Sequence, residues 1–145
     1  MLVKKIKYTD YNGTEREEDF YFNLNKGEIF NLQYGKVKGG LIEYMQELSK
    51  ENDTPKMVEL LEDFILSAYG EKSSDGKYFI KEDFTTGIKP RDKFKQTEAF
   101  SELLMELLTD EKKTADFFNA LVPEELRQEL AEQEKGDLNV LGSNN

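Results

Sequence analysis

The chain opens with two runs in which apolar or aromatic positions partly alternate with polar ones. Residues 2–9 read Leu-Val-Lys-Lys-Ile-Lys-Tyr-Thr, and residues 14–24 end in Phe20, Tyr21, Phe22, Asn23 and Leu24. Such side chains favour strands because they fit a half-buried pleated surface. Between the runs, Asp10-Tyr11-Asn12-Gly13 is a turn signal. The register follows from the faces. A two-residue Asn-Gly loop sets Ile6 opposite Asp19 and Lys5 opposite Phe20, which mixes apolar and charged positions. A three-residue loop, Tyr11-Asn12-Gly13 with Gly13 left-handed, pairs Leu2 with Phe22, Lys5 with Asp19 and Lys7 with Glu17. One face is then partly apolar and the other carries opposite charges. The pattern predicts a G1-bulge hairpin over residues 1–24.

From Asn25 onward the period changes to that of helices. Asn25 caps a short helix over about 26–33, ending before Gly35. Gly39-Gly40 breaks the chain, and Leu41, Tyr44, Met45 and Leu48 resume helical spacing. Asp53-Thr54-Pro55 is a restart, a capping residue followed by Pro in the first turn. Met57, Leu61, Phe64, Ile65 and Ala68 then form a stripe, with Gly70 placed as a helix C-cap. Asp75-Gly76 marks a turn, Lys77–Ile80 reads as extended, and residues 82–93 read as irregular, with Gly87 and Pro90. Thr97 caps the clearest helix, in which Phe100, Leu103, Leu104, Leu107 and Leu108 recur at i, i+3, i+4, i+7 and i+8. Thr109-Asp110 ends it and caps a further helix carrying Phe117, Phe118 and Leu121. Pro123 opens a last, highly charged helix to about Glu134.

The expected fold class is therefore α+β, an N-terminal β-hairpin followed by a mainly α-helical bundle. The expected organisation is one domain over 1–134, with a hairpin at 1–24 and a helical body at 25–134. Residues 135–145 read as a flexible tail. The hairpin also leaves an unpaired edge that a neighbour can join, so self-association is expected.

Composition narrows the chemistry. The 145 residues include no Cys and no His, which removes disulfides, thiolate or imidazole zinc sites, Cys nucleophiles and His bases from this chain. Twenty basic against 30 acidic residues give a net charge of −10, unfavourable for binding nucleic acid phosphates or anionic membranes. Mean hydropathy is −0.72 and apolar runs are short, so no membrane span is expected. The basic start, Met1 to Tyr8, lacks the apolar core of a signal peptide.

Motifs for catalysis or cofactors fail on spacing. Asp10-Tyr11-Asn12-Gly13 puts Gly at the fourth position of a would-be calcium loop, where an EF-hand needs it at the sixth. In Gly70-Glu71-Lys72-Ser73 a Glu interrupts the Gly-Lys-Ser of a phosphate loop, whose first Gly is also missing. Asn12-Gly13-Thr14 matches a glycosylation sequon but reads as a turn. Carboxylate pairs such as Glu62-Asp63 and Glu124-Glu125 read as solvated helix faces, since no two acids fall on an apolar stripe. No enzyme, cofactor or metal is expected. Most of the 10 Phe and 7 Tyr are expected in the core, Phe64, Phe100 and Phe117 by their spacing; for the segments Lys93 to Phe100, with Phe94, and Phe117-Phe118 the alternatives are burial with the rest or exposure beyond what a small core holds. An exposed remainder forms a hydrophobic surface with an acidic rim. The candidate partner-binding side chains are Phe94, Phe100, Leu104, Phe117 and Phe118.

One set of stretches, in order, carries a family resemblance. It comprises Tyr69-Gly70-Glu71-Lys72-Ser73, Asp75 through Lys81, Phe94, Thr97-Glu98-Ala99-Phe100-Ser101, Leu103-Leu104 with Leu107-Leu108, and Asp116-Phe117-Phe118-Asn119 running into Val122-Pro123. Phe22-Asn23-Leu24 after an Asn-Gly hairpin also fits. Over about 1–123 the chain resembles the tail assembly chaperones of siphovirus-like bacteriophages and prophages of Gram-positive hosts. The resemblance implies a scaffolding role without catalysis. The partners it implies are the long, aggregation-prone tape measure protein and the tail tube protein. The implied location is the host bacterial cytoplasm, with the chaperone absent from the mature virion. It also implies two product lengths, the longer made by ribosomal frameshifting, with this chain as the short form. The alternative is a small acidic inhibitor or DNA mimic of phage type, which calls for a one-sided acidic face; Lys4, Lys5, Lys7, Lys36 and Lys38 interrupt such a face. A carboxylate hydrolase ranks last.

Overall fold

The computed structural model describes residues 1–34, 54–122 and 128. The expected helix from Leu41 to Leu48, the helix from Pro123 to about 134 and the tail at 135–145 lie outside the described residues.

Strands β1 (Leu2–Thr9) and β2 (Glu15–Phe22) form the hairpin. Their antiparallel register pairs Leu2 with Phe22, Lys5 with Asp19 and Lys7 with Glu17, as the three-residue loop requires. Gly13 has φ 80°, the left-handed region a side chain avoids. The Asp10 carboxylate ties the turn by accepting from the N–H groups of Asn12 and Thr14, both at 2.9 Å. Arg16 Nε donates to the same carboxylate at 2.7 Å. That contact, with the Thr14 N–H next, holds the Asp10 carboxyl below the ordinary carboxylate range.

Helix α1 (Lys26–Tyr34) starts from a reciprocal capping pair. Glu28 N–H donates to Asn25 Oδ1 at 2.8 Å, and Asn25 N–H donates to Glu28 Oε1 at 3.0 Å. Helix α2 (Thr54–Ala68) has Pro55 in its first turn and buries Leu61, Phe64, Ile65 and Ala68 of the predicted stripe, with Met57 half-buried at its start.

The helix then stops without a glycine cap, which corrects the expectation for Gly70. Strand β3 (Tyr69–Lys72) follows Ala68 directly and pairs antiparallel with β2, Gly70 opposite Tyr21. Strand β4 (Phe79–Ile80) pairs with β3, giving a four-stranded sheet of order β1-β2-β3-β4. Gly70 is needed for close approach: a Cβ there would lie 2.5 Å from Phe79 Cε1 and 2.9 Å from the Ile80 carbonyl oxygen. The β3–β4 turn is the predicted Asp75-Gly76 turn, with Gly76 at φ 76°.

A second correction falls within residues 82–93. Helix α3 (Pro90–Phe94) occupies the end of that stretch. Lys89 is extended, as a residue before Pro must be, and Pro90 pre-sets the helical φ. In helix α4 (Glu98–Thr109) the Phe100 N–H donates to the capping Thr97 hydroxyl at 3.2 Å. Asp110 ends α4 and caps helix α5 (Glu111–Leu121), accepting from the N–H groups of Lys112 and Lys113 at 3.0 and 3.2 Å.

The core lies between one face of the sheet and the helices. Ile6, Phe22, Phe64, Ile65, Leu103 and Phe117 are buried there. Phe22 meets Tyr69, Phe94 and Phe117 edge-on, with centroids 5.8, 5.9 and 5.4 Å away. Edge contacts of this kind favour a single packing because the rings' quadrupoles align. At the margin, Lys4 Nζ reaches Glu106 Oε1 at 3.1 Å and ties β1 to α4.

Candidate functional site

The structure separates the five candidate partner-binding residues into two groups. Phe94, Phe100 and Phe117 are buried, Phe94 to 2 % exposure. Phe94 stacks on Tyr69 at 4.1 Å and meets Phe100 edge-on at 5.6 Å. The aromatic surplus expected at Phe94 is therefore core: α3 turns the side chain inward, where the sheet supplies ring faces for it. Leu104 and Phe118 are half-buried and pack against the core from outside. Phe118 stacks on Phe64 at 5.2 Å. Met105, beside Leu104 on α4, is 56 % exposed.

The most exposed aromatic side chains sit in turns. Tyr11 tops the β1–β2 loop and Tyr78 ends the β3–β4 turn. Phe84 is fully exposed in the loop between β4 and α3. That loop is firmly built. The Asp83 carboxylate accepts from the Thr85 N–H at 2.9 Å, the Thr86 N–H at 2.8 Å and the Thr86 hydroxyl at 3.0 Å. The Asp83 N–H donates to the Ile88 carbonyl and the Gly87 N–H to the Asp83 carbonyl, both at 2.8 Å. Gly87 takes φ 72°, which closes the turn. These donors, led by the Thr86 N–H, hold the Asp83 carboxyl below its ordinary range, so the loop keeps its negative charge. Sequence reasoning missed Phe84 because it looked for surplus aromatics near helices. The available signal was an Asp-x-Thr-Thr-Gly turn with Phe at its free position.

Beside the base of this loop lies a cleft of about 280 Å³. Leu24, Leu66 and Tyr69 supply its apolar surface, and Lys81, Lys89 and Arg91 supply cations. Lys81 is spent on structure. Its Nζ donates to the carbonyls of Asn23 and Ser67, each at 2.8 Å, and pairs with Glu28. Burial pushes the Lys81 pKa below the ordinary lysine value, with Glu28 opposing the change. Burial also pushes the Tyr69 phenol up to about 12, with smaller contributions from Glu71 and Glu18. Arg91 reaches Asp92 at 3.9 Å, and Lys89 pairs with no carboxylate among the described residues.

Among the described residues, no group of three or more acids is placed to hold a metal ion. No helix among them is long and apolar enough to cross a membrane. The described surface presents apolar side chains at Met105, Tyr11, Tyr78 and Phe84. The chain belongs to the phage tail assembly chaperone family, whose model matches residues 1–143. No curated protein and no solved structure matches it.

Proposed function

We propose that the chain binds the tape measure protein of its own phage tail and keeps that long chain soluble. In the same reading it helps recruit tail tube subunits, acts in the host bacterial cytoplasm and is absent from the finished virion. Membership of the tail assembly chaperone family carries the reading. The half-buried Leu104 and Phe118, and the exposed Met105 that follows Leu104, support it as side chains a helical partner can reach without opening the core. Phe94, Phe100 and Phe117 serve indirectly, by holding the surface in shape.

The distribution of charge favours this reading over an acidic DNA mimic. Acids on the described surface are interleaved with cations, as in Arg16 with Asp10, Lys7 with Glu17 and Lys4 with Glu106. A mimic needs a continuous acidic face. The chaperone reading is tested by expressing the tape measure protein of the same genome with and without this chain. The expected result is a soluble tape measure protein only when the chaperone is present. A tape measure protein that stays insoluble with both the short form and any frameshifted longer form sinks the reading.

A further inference from the structure

We propose that two copies of the chain form a twofold dimer in which Phe84 of each copy fills the Leu24–Leu66–Tyr69 cleft of the other. The proposal rests on the shapes and charges of one face, independently of the tape measure reading.

Phe84 is fully exposed on a loop whose backbone is tied by the Asp83 carboxylate and turned by Gly87, so the loop presents the ring to solvent. An aromatic side chain on an ordered loop is a ready anchor, since docking it leaves only its own two rotatable bonds to fix. The cleft has room for it. A cavity of roughly 150 Å³ holds benzene, and this cleft is about 280 Å³ with leucine and tyrosine in its lining.

Knob and cleft are neighbours. Glu82 and Lys89 line the cleft and stand at the two ends of the loop that carries Phe84. A twofold axis beside that loop therefore engages both knobs and both clefts at once, as an isologous interface requires. The charges are complementary in the same arrangement. Glu82 and Asp83 precede the knob, while the cleft, beyond its internal Lys81–Glu28 pair, holds Lys89 and Arg91 against the single carboxylate of Glu82. Each copy's acids then meet the other's cations, against a background of −10 that otherwise drives copies apart.

The other route to a dimer, through the β1 edge, is disfavoured. β1 is an outer strand of the sheet among the described residues. An antiparallel pairing of two copies centred on Lys5 sets Lys5 against its own copy and sets Lys4 against Ile6. Lysines on an edge strand oppose such joining.

The test uses the full chain. Sedimentation equilibrium should give a dimer that Phe84→Asp weakens more than about tenfold, the scale of losing one aromatic anchor. The circular dichroism and melting temperature of monomeric Phe84→Asp should match those of monomeric wild type, because Phe84 touches no core. The chain has no Cys, so Phe84→Cys and Leu66→Cys can be made separately and mixed under oxidation. A disulfide between the two variants confirms that the knob of one copy reaches the cleft of the other. A wild-type monomer at about 100 μM, a dimer indifferent to Phe84→Asp, or failure of the mixed disulfide each overturns the proposal.

Discussion

Replacing Gly70 by Ala tests the reading of the sheet at its tightest point. The added Cβ would stand 2.5 Å from Phe79 Cε1 and 2.9 Å from the Ile80 carbonyl oxygen. The ring can tilt away, but the carbonyl belongs to the β3–β4 ladder, which pairs Glu71 with Ile80 and Lys72 with Phe79. Relief therefore costs either the ring's packing or the ladder. Overpacking of this kind costs about 1–3 kcal/mol. Removing a glycine from the unfolded chain returns about 0.4–1 kcal/mol. The expected net loss is about 1–2 kcal/mol, read as a lower denaturant midpoint at unchanged slope. Two further variants separate this from the helix-cap interpretation. A left-handed cap accepts Asn better than Ala, whereas this strand position should accept Asn no better. In a Phe79→Ala background the cost of Gly70→Ala should shrink by about 1 kcal/mol, the coupling expected of residues in contact. Gly70→Ala as stable as wild type, or Gly70→Asn more stable than Gly70→Ala, refutes the reasoning.

Four other predictions follow from the same structure. Thr97→Ala leaves the Phe100 N–H without the hydroxyl it donates to at 3.2 Å, so unfolding experiments should show a loss of about 1 kcal/mol. Gly13→Ala places a side chain at φ 80° and should cost about 1–2 kcal/mol, with the fold kept by circular dichroism. Phe22→Ala empties the centre of the aromatic cluster and should cost about 3–5 kcal/mol in denaturant unfolding. For Tyr69, the phenol has a folded pKa of about 12 against 10.0 when unfolded. Between these values the unfolded chain releases a proton that the folded chain keeps. The contribution of Tyr69 to stability is therefore intact below about pH 10 and falls as pH rises towards 12. Spectroscopic titration should show a late phenolate step that Tyr69→Phe removes; a wild-type chain whose tyrosines all ionise near pH 10 contradicts it.

Local rules carried most of the described fold. The hairpin register was legible because a three-residue loop keeps Leu2, Ile6, Phe20 and Phe22 on one face where a two-residue loop splits them, and Gly13 occupies the left-handed position that loop needs. The Asn25, Thr97 and Asp110 caps were legible because a short polar side chain before an apolar stripe has one common use. Gly70 was not legible. Glycine after a helical stripe looks the same whether it caps the helix or makes room, and here Phe79, nine residues later, decides. Phe94 looked surplus because α3 is one turn long and shows no periodicity, although Lys89-Pro90 marks its start. Of the candidate surface, Leu104 and Phe118 fell at the core's edge, which helix spacing alone does not separate from its centre. Phe84 escaped notice because exposure in a turn depends on hydrogen bonds to Asp83 rather than on hydrophobic pattern.

The central claim, that this tail assembly chaperone binds the tape measure protein, is tested most directly by co-purification from cells expressing both. The assay compares wild type with Leu104→Asp and Phe118→Asp, each first shown to be folded by circular dichroism. The account predicts that wild type retains the tape measure protein and that both variants lose most of it. Retention undiminished in both variants contradicts the assigned surface, and a tape measure protein that wild type never retains contradicts the claim itself.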